Sequence, residues 1–163
     1  MTREQFILFI KQEQESLRRF LLALCCGHSD NADDIAQETF VKAYVSMADY
    51  DEQGRGALWL RRIAYTTFLN FQKAQKLRTA ASLSESLSIP SADNADISFR
   101  NQELHRALTF LNESERTSIV MHYIEGYKIN EIAEVTHQSE SAIKKQLQRG
   151  REELKKRISY DRR

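Results

Sequence analysis

At 163 residues, with 41% hydrophobic and 29% charged side chains, the chain has room for one ordinary domain or two small ones. Its single proline and five glycines leave little punctuation for a strand-and-turn architecture, so helices are the first expectation. A net charge of +1 excludes a uniformly basic nucleic-acid coat, and neither a secretory leader nor an apolar run of roughly 20 residues is visible, so a cytoplasmic chain without membrane insertion is expected.

Phe6, Phe9, Ile10, Leu17, Phe20, Leu21 and Leu24 recur at steps of three, four and seven, which predicts a long amphipathic first helix with room for a break. Cys25 and Cys26 come next, with His28 nearby; no second ligand pair at metal spacing accompanies them, so they read as a buried helical pair of thiols, with no disulfide, metal or cofactor assigned. Gly27 to Asn31 reads as a turn. Ala36, Phe40, Ala43, Tyr44 and Met47 then predict a second helix, whose first turn would hold Asp33 and Asp34 where carboxylates favour the positive end of the dipole. A polar loop from Tyr50 to Gly56 precedes a third helix built on Leu60, Ile63, Ala64, Thr67, Phe68 and Phe71 and reaching about Lys76. From Thr79 to Ser98 large apolar residues thin out and Ala, Ser, Asp and Asn take over around Pro90, a linker composition.

Beyond the linker, Leu104, Ala107, Leu108 and Leu111 mark a short helix. Asn112 and Glu115 form a capping-box pattern opening the next, with Ile119, Val120, Tyr123 and Ile124 as its expected buried stripe and Gly126 as its stop. A further short helix carries Ile129, Ile132 and Ala133. Ser139 then caps a final helix whose inward stripe is Ile143, Leu147, Gly150 and Leu154. Between Ser141 and Arg163 nine Lys/Arg face three Asp/Glu, a local balance of +6, whereas Asp30 to Asp34 holds three acids and no base.

A short helix, a tight turn and a longer basic helix make a helix-turn-helix, whose second helix enters the major groove. With Ile143 and Leu147 turned inward, Ser141, Lys144, Lys145, Gln148 and Arg149, with Ala142 beside them, face outward and can reach bases and phosphates.

Leu111-Asn-Glu-Ser-Glu-Arg116, Tyr123-Ile-Glu-Gly-Tyr127, Glu131-Ile-Ala133 and Ala142-Ile-Lys-Lys-Gln-Leu-Gln-Arg149 resemble the promoter-reading domain of extracytoplasmic-function sigma factors of bacteria. Asp33-Asp-Ile-Ala-Gln-Glu-Thr-Phe-Val-Lys-Ala-Tyr44 and Trp59-Leu-Arg-Arg-Ile-Ala64 resemble the same family's second-helix motif and the start of its DNA-melting helix. The resemblance implies an all-α fold of two small helical domains, a region 2 domain over 1–78 and a region 4 domain over 101–163, joined by a flexible linker over 79–100. It also implies a factor without chemistry of its own that binds core RNA polymerase and directs promoter-specific initiation. The C-terminal helix would read the upstream (minus-35) element. The N-terminal domain would melt the downstream (minus-10) element through Tyr50, Arg55, Arg61, Arg62, Tyr65, Lys73 and Lys76. Asp34, Gln37 and Glu38 would dock on the clamp helices of the polymerase's largest subunit, and an anti-sigma factor is an expected partner alongside promoter DNA.

Several positions depart from the family pattern. Asp51 and Glu52 stand where an Arg-Gly is frequent, and Thr66 replaces a frequent Asn; Lys128 replaces a small hydroxyl cap, His137 a turn glycine and Gln138 an apolar residue. Gly150 stands for an alanine, a change costing about 1 kcal/mol in mid-helix. A stand-alone helix-turn-helix regulator is the rival reading, against which the Asp33 to Tyr44 motif speaks. An enzyme fares worse, since four scattered histidines and no Gly-rich phosphate loop or nucleophile elbow assemble no site.

Overall fold

The computed structural model describes residues 1–51, 54–81 and 99–161. Seven α-helices run in order among them: α1 (Arg3–Leu24), α2 (Ser29–Ser46), α3 (Gly56–Ala81), α4 (Phe99–Leu108), α5 (Glu113–Ile119), α6 (Ile129–Thr136) and α7 (Glu140–Asp161). The all-α expectation holds. At the expected linker, Thr79 to Ala81 still belong to α3 and Phe99 and Arg100 already belong to α4; residues 82–98 lie outside the described residues.

Reciprocal caps start α1: Gln5 N–H donates to Thr2 Oγ1 at 3.2 Å and Thr2 N–H to Gln5 Oε1 at 2.9 Å, satisfying two otherwise orphan donors. The helix then runs unbroken to Leu24. Its Leu17, Phe20, Leu21 and Leu24 are at most 2% exposed and share the core with Ala32, Ile35, Ala36 and Ala43 of α2 and Leu58, Leu60, Ala64 and Phe68 of α3. Each such large side chain contributes about 1.5–3 kcal/mol on burial, so the three helices hold one another and fix the faces they leave outside.

Left-handed backbone at Cys26 (φ 54°) and Gly27 (φ 90°) reverses the chain after α1. The expected helical pair of thiols is therefore split. Cys25 closes the helix and is buried, and burial together with the neighbouring Cys26 pushes its thiol up to about 12; Cys26 lies outside the helix, half-buried. The second helix begins at Ser29, inside the segment predicted as a turn, so Asp33 and Asp34 belong to its second turn. Asp33 pairs with Arg18 of α1 at 3.0 Å instead.

In the C-terminal half the Asn112 box forms as predicted, with Glu115 N–H on Asn112 Oδ1 at 2.8 Å and Asn112 N–H on Glu115 Oε1 at 3.2 Å. After Ile119 the helix widens into a π turn over Val120–Ile124, closed by Glu125 N–H on Val120 O at 3.0 Å. One extra residue in the turn rotates the side chains beyond it. Met121 is consequently buried, while Tyr123 and Ile124, expected inside, are 54% and 50% exposed.

His137 ends α6 in the left-handed region (φ 54°, ψ 41°), the conformation for which glycine is the usual residue and that histidine tolerates better than bulkier types. Gln138 has a polar role: Ser118 donates to Gln146 Oε1 at 2.7 Å, and Gln146 Nε2 donates to Gln138 Oε1 at 2.6 Å, tying α5, the turn and α7 together. Lys128 caps α6 through its backbone N–H on Glu131 Oε1 at 2.9 Å. Gly150 has a packing reason, because a Cβ there would lie 2.7 Å from Ile119 Cγ1 and 3.0 Å from its Cδ1. The missing side chain lets α7 lie directly on α5.

The two halves pack on each other, and their buried apolar residues form one continuous cluster. Arg116 is one tie between them. Its guanidinium donates to Leu24 O at 3.0 Å, Leu108 O at 3.0 Å and Leu111 O at 2.9 Å. It thereby gives the C-terminus of α1, which has no basic residue in its last turn, the cation that its dipole favours. Nearby, Gly27 lies against the His105 ring, 3.3 Å from its nearest carbon to where a Cβ would stand, and His105 Nδ1 is buried without a hydrogen-bond partner among the described residues.

Gly150→Ala should lower stability although alanine favours the helix by about 1 kcal/mol, because the overpacking against a stiff Ile119 costs roughly 1–3 kcal/mol. A shift of the urea midpoint to lower concentration is the expected result. A second expectation concerns acid. Burial holds the His105 pKa below its ordinary 6.5, so the unfolded chain takes up this proton before the folded one does. The contribution is full above that ordinary value and is lost as pH falls from it through the lowered folded-state value. His105→Asn should therefore reduce the drop in melting temperature between about pH 7.5 and about pH 5.5; an unchanged drop would show that His105 is not its source.

Candidate nucleic-acid interface

Three surfaces carry the residues singled out by the sequence. The first is α7, which enters from a tight turn, with Ser139 Oγ accepting from Ala142 N–H at 3.1 Å. Ile143 and Leu147 are at most 2% exposed, and this burial fixes the rotation of the helix. Ser141, Lys144, Lys145, Gln148 and Arg149 consequently emerge on one face, with Ala142 half-buried at its edge. Among the described residues no ion pair ties down Lys144, Lys145 or Arg149, while the only side-chain bond of Gln148 is a 3.4 Å contact with Glu152. A row of three cations with an amide and a hydroxyl suits phosphates and base edges.

The second surface is the outer face of α2. Asp34, Gln37 and Glu38 are all exposed, and Glu38 holds Lys42 at 3.0 Å. The same face continues through Val41, Tyr44 and Val45, which are 64%, 46% and 76% exposed. Tyr44, expected inside, lies across the edge of Phe6 with ring centroids 5.6 Å apart. Within the apolar half of this face, Val41 and Val45 are not among the residues that the sequence pattern singles out. Its signal lies in Val41 and Val45, which at i and i+4 fall off the buried stripe of Ile35, Thr39 and Ala43.

The third surface is α3 with the loop before it, and here the structure departs most from expectation. Arg61 is 1% exposed. Its Nε donates to Glu125 Oε1 at 3.0 Å, and its Nη2 donates to Glu125 Oε2 at 2.9 Å and to Ser16 Oγ at 2.6 Å. Glu13 stands 4.0 Å from Nη1, and the group lies over Phe20 at 5.2 Å. Tyr65 is also buried, 5% exposed, with its phenol pushed up first by burial and then by Glu113. Neither can meet DNA in this arrangement. Arg55 and Arg62 both grip the carboxylate of Glu134, Arg62 at 2.9 Å, and Lys76 reaches Glu113 at 3.2 Å. Lys73 stays exposed. Glu113, Glu125 and Glu134 all come from the C-terminal half, a set of partners that sequence alone could not supply.

Between these elements lies a cleft of about 270 Å³ lined by Asp49, Tyr50, Asp51, Arg55, Leu58, Trp59, Arg62 and Glu134. Tyr50 and Trp59 meet at its side with their rings tilted by 45° and centroids 4.8 Å apart. Trp59 is half-buried and also meets Phe9, and Phe68 is wholly buried, as the apolar pattern predicts for Phe68. Thr66, at the position of the frequent Asn, is exposed and bonds back to Arg62 O at 3.1 Å. Glu52 lies outside the described residues.

No helix among the described residues is long and apolar enough to cross a membrane, and no cluster of three or more ligating side chains with the geometry for a metal occurs among them. Comparison with known proteins agrees with the geometry. The family model for sigma-70 region 2 matches residues 9–78 and that for sigma-70 region 4 matches residues 101–154. The chain is 29% identical over 145 residues to the ECF RNA polymerase sigma factor SigW of Bacillus subtilis, covering 81% of this chain and 78% of that protein. It is also 29% identical to the sigma factor YlaC of the same organism, covering 83% and 82%. Its fold matches that of the sigma factor RpoE solved with the anti-sigma factor NepR from Bartonella quintana, with a TM-score of 0.81 at 22% identity over 97% of this chain and 99% of that one. Two sigma-70 regions in their proper order, on an all-helical frame and among such relatives, place this chain in the extracytoplasmic-function group of the RNA polymerase sigma factors.

Proposed function

We propose that this chain programmes bacterial RNA polymerase for a set of promoters, binding the core enzyme and directing initiation without chemistry of its own. The observation that carries the reading is the presence of both sigma-70 regions in order, each with an exposed face of the required chemistry. Region 2, placed over 1–78, docks on the polymerase clamp helices through α2. There the apolar Val41, Tyr44 and Val45 supply contact area beside Asp34, Gln37 and Glu38, whose charge and amide groups set orientation and encounter rate.

Region 4, placed over 101–163, reads the upstream element with α7: Lys144, Lys145 and Arg149 hold phosphates while Ser141, Ala142 and Gln148 approach base edges. The downstream element falls to Tyr50, Arg55, Arg61, Arg62, Tyr65, Lys73 and Lys76 once α3 is accessible. Unpaired bases stacked on aromatic side chains there gain roughly 1–3 kcal/mol each. Joining two modest DNA contacts through residues 79–100 converts them into one high-avidity engagement. Acting on the genome places the chain in the cytoplasm, and an anti-sigma protein is a natural regulator, as one accompanies the structural relative RpoE.

Transcription in vitro with core polymerase on genomic fragments tests the whole reading: specific start sites that depend on the chain are expected. Footprinting of an operator without polymerase, together with no initiation, would return the stand-alone regulator. Lys144→Ala combined with Arg149→Ala should weaken upstream-element binding and lower the slope of log affinity against log salt by about 2, roughly 0.9 for each phosphate no longer neutralised. Association with core polymerase should not change. Val41→Asp combined with Val45→Asp should do the reverse, weakening polymerase association while binding of region 4 to DNA persists.

A further inference from the structure

The π turn over Val120–Ile124 turns Tyr123 out of the core, where it is 54% exposed, yet the ring is held on two sides. Its phenol oxygen accepts from Arg151 Nη1 of α7 at 2.9 Å. The ring also meets that of His122, at 81° with centroids 4.9 Å apart. His122 is fixed in turn by Tyr127 O, 2.9 Å from Nδ1; a carbonyl only accepts, so that nitrogen carries the proton. π turns recur at functional sites, and the ordered chain that this one creates ends on a guanidinium.

Arg151 is exposed, and among the described residues it makes no ion pair. Other arginines here are neutralised: Arg55 and Arg62 by Glu134, Arg61 by Glu125, and Arg157 of the same helix by Glu153. A hydroxyl, by contrast, orients a guanidinium through one of its five N–H donors and leaves the charge and the other donors for an anion from outside.

The place of Arg151 on α7 identifies that anion. Seven residues fall about 20° short of two full turns, so Ser141 and Gln148 lie on one outward line when Ile143 and Leu147 face inward. Lys145 and Arg149 flank this line on one side and Lys144 on the other. Arg151 stands seven residues beyond Lys144 and prolongs its edge by about 10.5 Å, far enough for a separate phosphate. A helix lying in the major groove turns its middle line to the base edges and its two flanks to the strands that wall the groove. Up to Gly150 one flank has two cations and the other has one; Arg151 makes them equal.

We propose that Arg151 is a further phosphate-binding residue of the DNA-reading helix, and that Tyr123, turned outward by the π turn, is its positioning residue. The inference rests on α7 being the helix that contacts DNA. Arg151 serves the strand that Lys144 meets, and the hydroxyl of Tyr123 holds it there before DNA arrives.

Phosphate contacts do not depend on base sequence, so the test uses the full chain and a fluorescent random-sequence duplex, with affinity read by anisotropy between about 0.05 and 0.2 M salt. Arg151→Gln should lower the slope of log affinity against log salt by about 0.9, a loss of about eightfold near 0.1 M salt. Arg151→Lys retains the charge and should retain the slope. Arg157→Gln makes the same change of charge on the same helix, where Glu153 and the Phe110 ring hold the cation, and should leave the slope unchanged. Tyr123→Phe frees the arginine to sample about three staggered wells, so binding should weaken by about threefold. In the Arg151→Gln chain the same substitution should change nothing. Melting temperatures should stay at the wild-type value throughout.

A slope that Arg151→Gln leaves unchanged, or that Arg157→Gln lowers as much, would overturn the phosphate contact. No cost of Tyr123→Phe, or an equal cost in both chains, would overturn the positioning role. Lower melting temperatures at an unchanged slope would reduce the pair to a tie between α5 and α7 and end the proposal. A wild type that binds no duplex would remove α7 as a DNA helix and the inference with it, whereas normal duplex binding without initiation by core polymerase would count against the sigma reading alone.

Discussion

A guanidinium cannot be left alone in a protein interior. Arg61, wholly buried between α1 and α3, would cost several kcal/mol in desolvation without a counter-charge, and among the described residues of the N-terminal half no carboxylate comes within hydrogen-bonding distance of it. Ser16 supplies one acceptor, and Glu13 stays at 4.0 Å. The matching anion arrives from Glu125, just past the π turn. Here a local irregularity has a global consequence. The wider turn rotates Tyr123 and Ile124 outward, buries Met121 and closes at the amide of Glu125 itself, the residue whose carboxylate meets α3. Tyr127, packed beside this pair, has its phenol pushed up by burial first, with Glu125 and Glu13 adding to that and Arg61 opposing it.

Charge is sorted between the halves in a way that a net value of +1 conceals. The N-terminal half brings Arg55, Arg61, Arg62 and Lys76 to the seam, and the C-terminal half brings Glu113, Glu125 and Glu134. Arg116 is the exception in direction, a C-terminal cation, but it is satisfied by backbone carbonyls, one of them at the end of α1. Exposed pairs such as Lys76 with Glu113 contribute little in water, typically about 0–1 kcal/mol. The orientation of the halves therefore depends chiefly on the buried pair and on the apolar cluster that spans them.

How much of this molecule is legible in its sequence depends on the range of each interaction. The Asn112–Glu115 box, the Ser139 cap and the outward row on α7 depend on neighbours within one or two turns, and periodicity locates them. The inward stripe of α1 is readable for the same reason. The start of α2 escapes such a reading because Ser29 can begin a helix as readily as a turn, and Asp33 and Asp34 shift by a turn with it. Gly150 looks like a weakness in isolation, and only Ile119, some thirty positions earlier, explains it. Gln138 likewise makes sense only with Gln146 and Ser118, which complete its bonds. The partners of Arg61 and Arg62 stand 64 and 72 positions away, beyond any periodic signal. An arginine destined for DNA and one destined for a distant glutamate look alike in a sequence.

That ambiguity is itself informative about how such an adaptor works. Cations placed to hold a polyanion bind any anion of suitable shape, and a covalent tether keeps the acids of the other half at high effective concentration. Any outside anion must then compete with an intramolecular rival at Arg55, Arg61, Arg62 and Lys76, whereas Lys144, Lys145 and Arg149 of α7 have no such rival among the described residues.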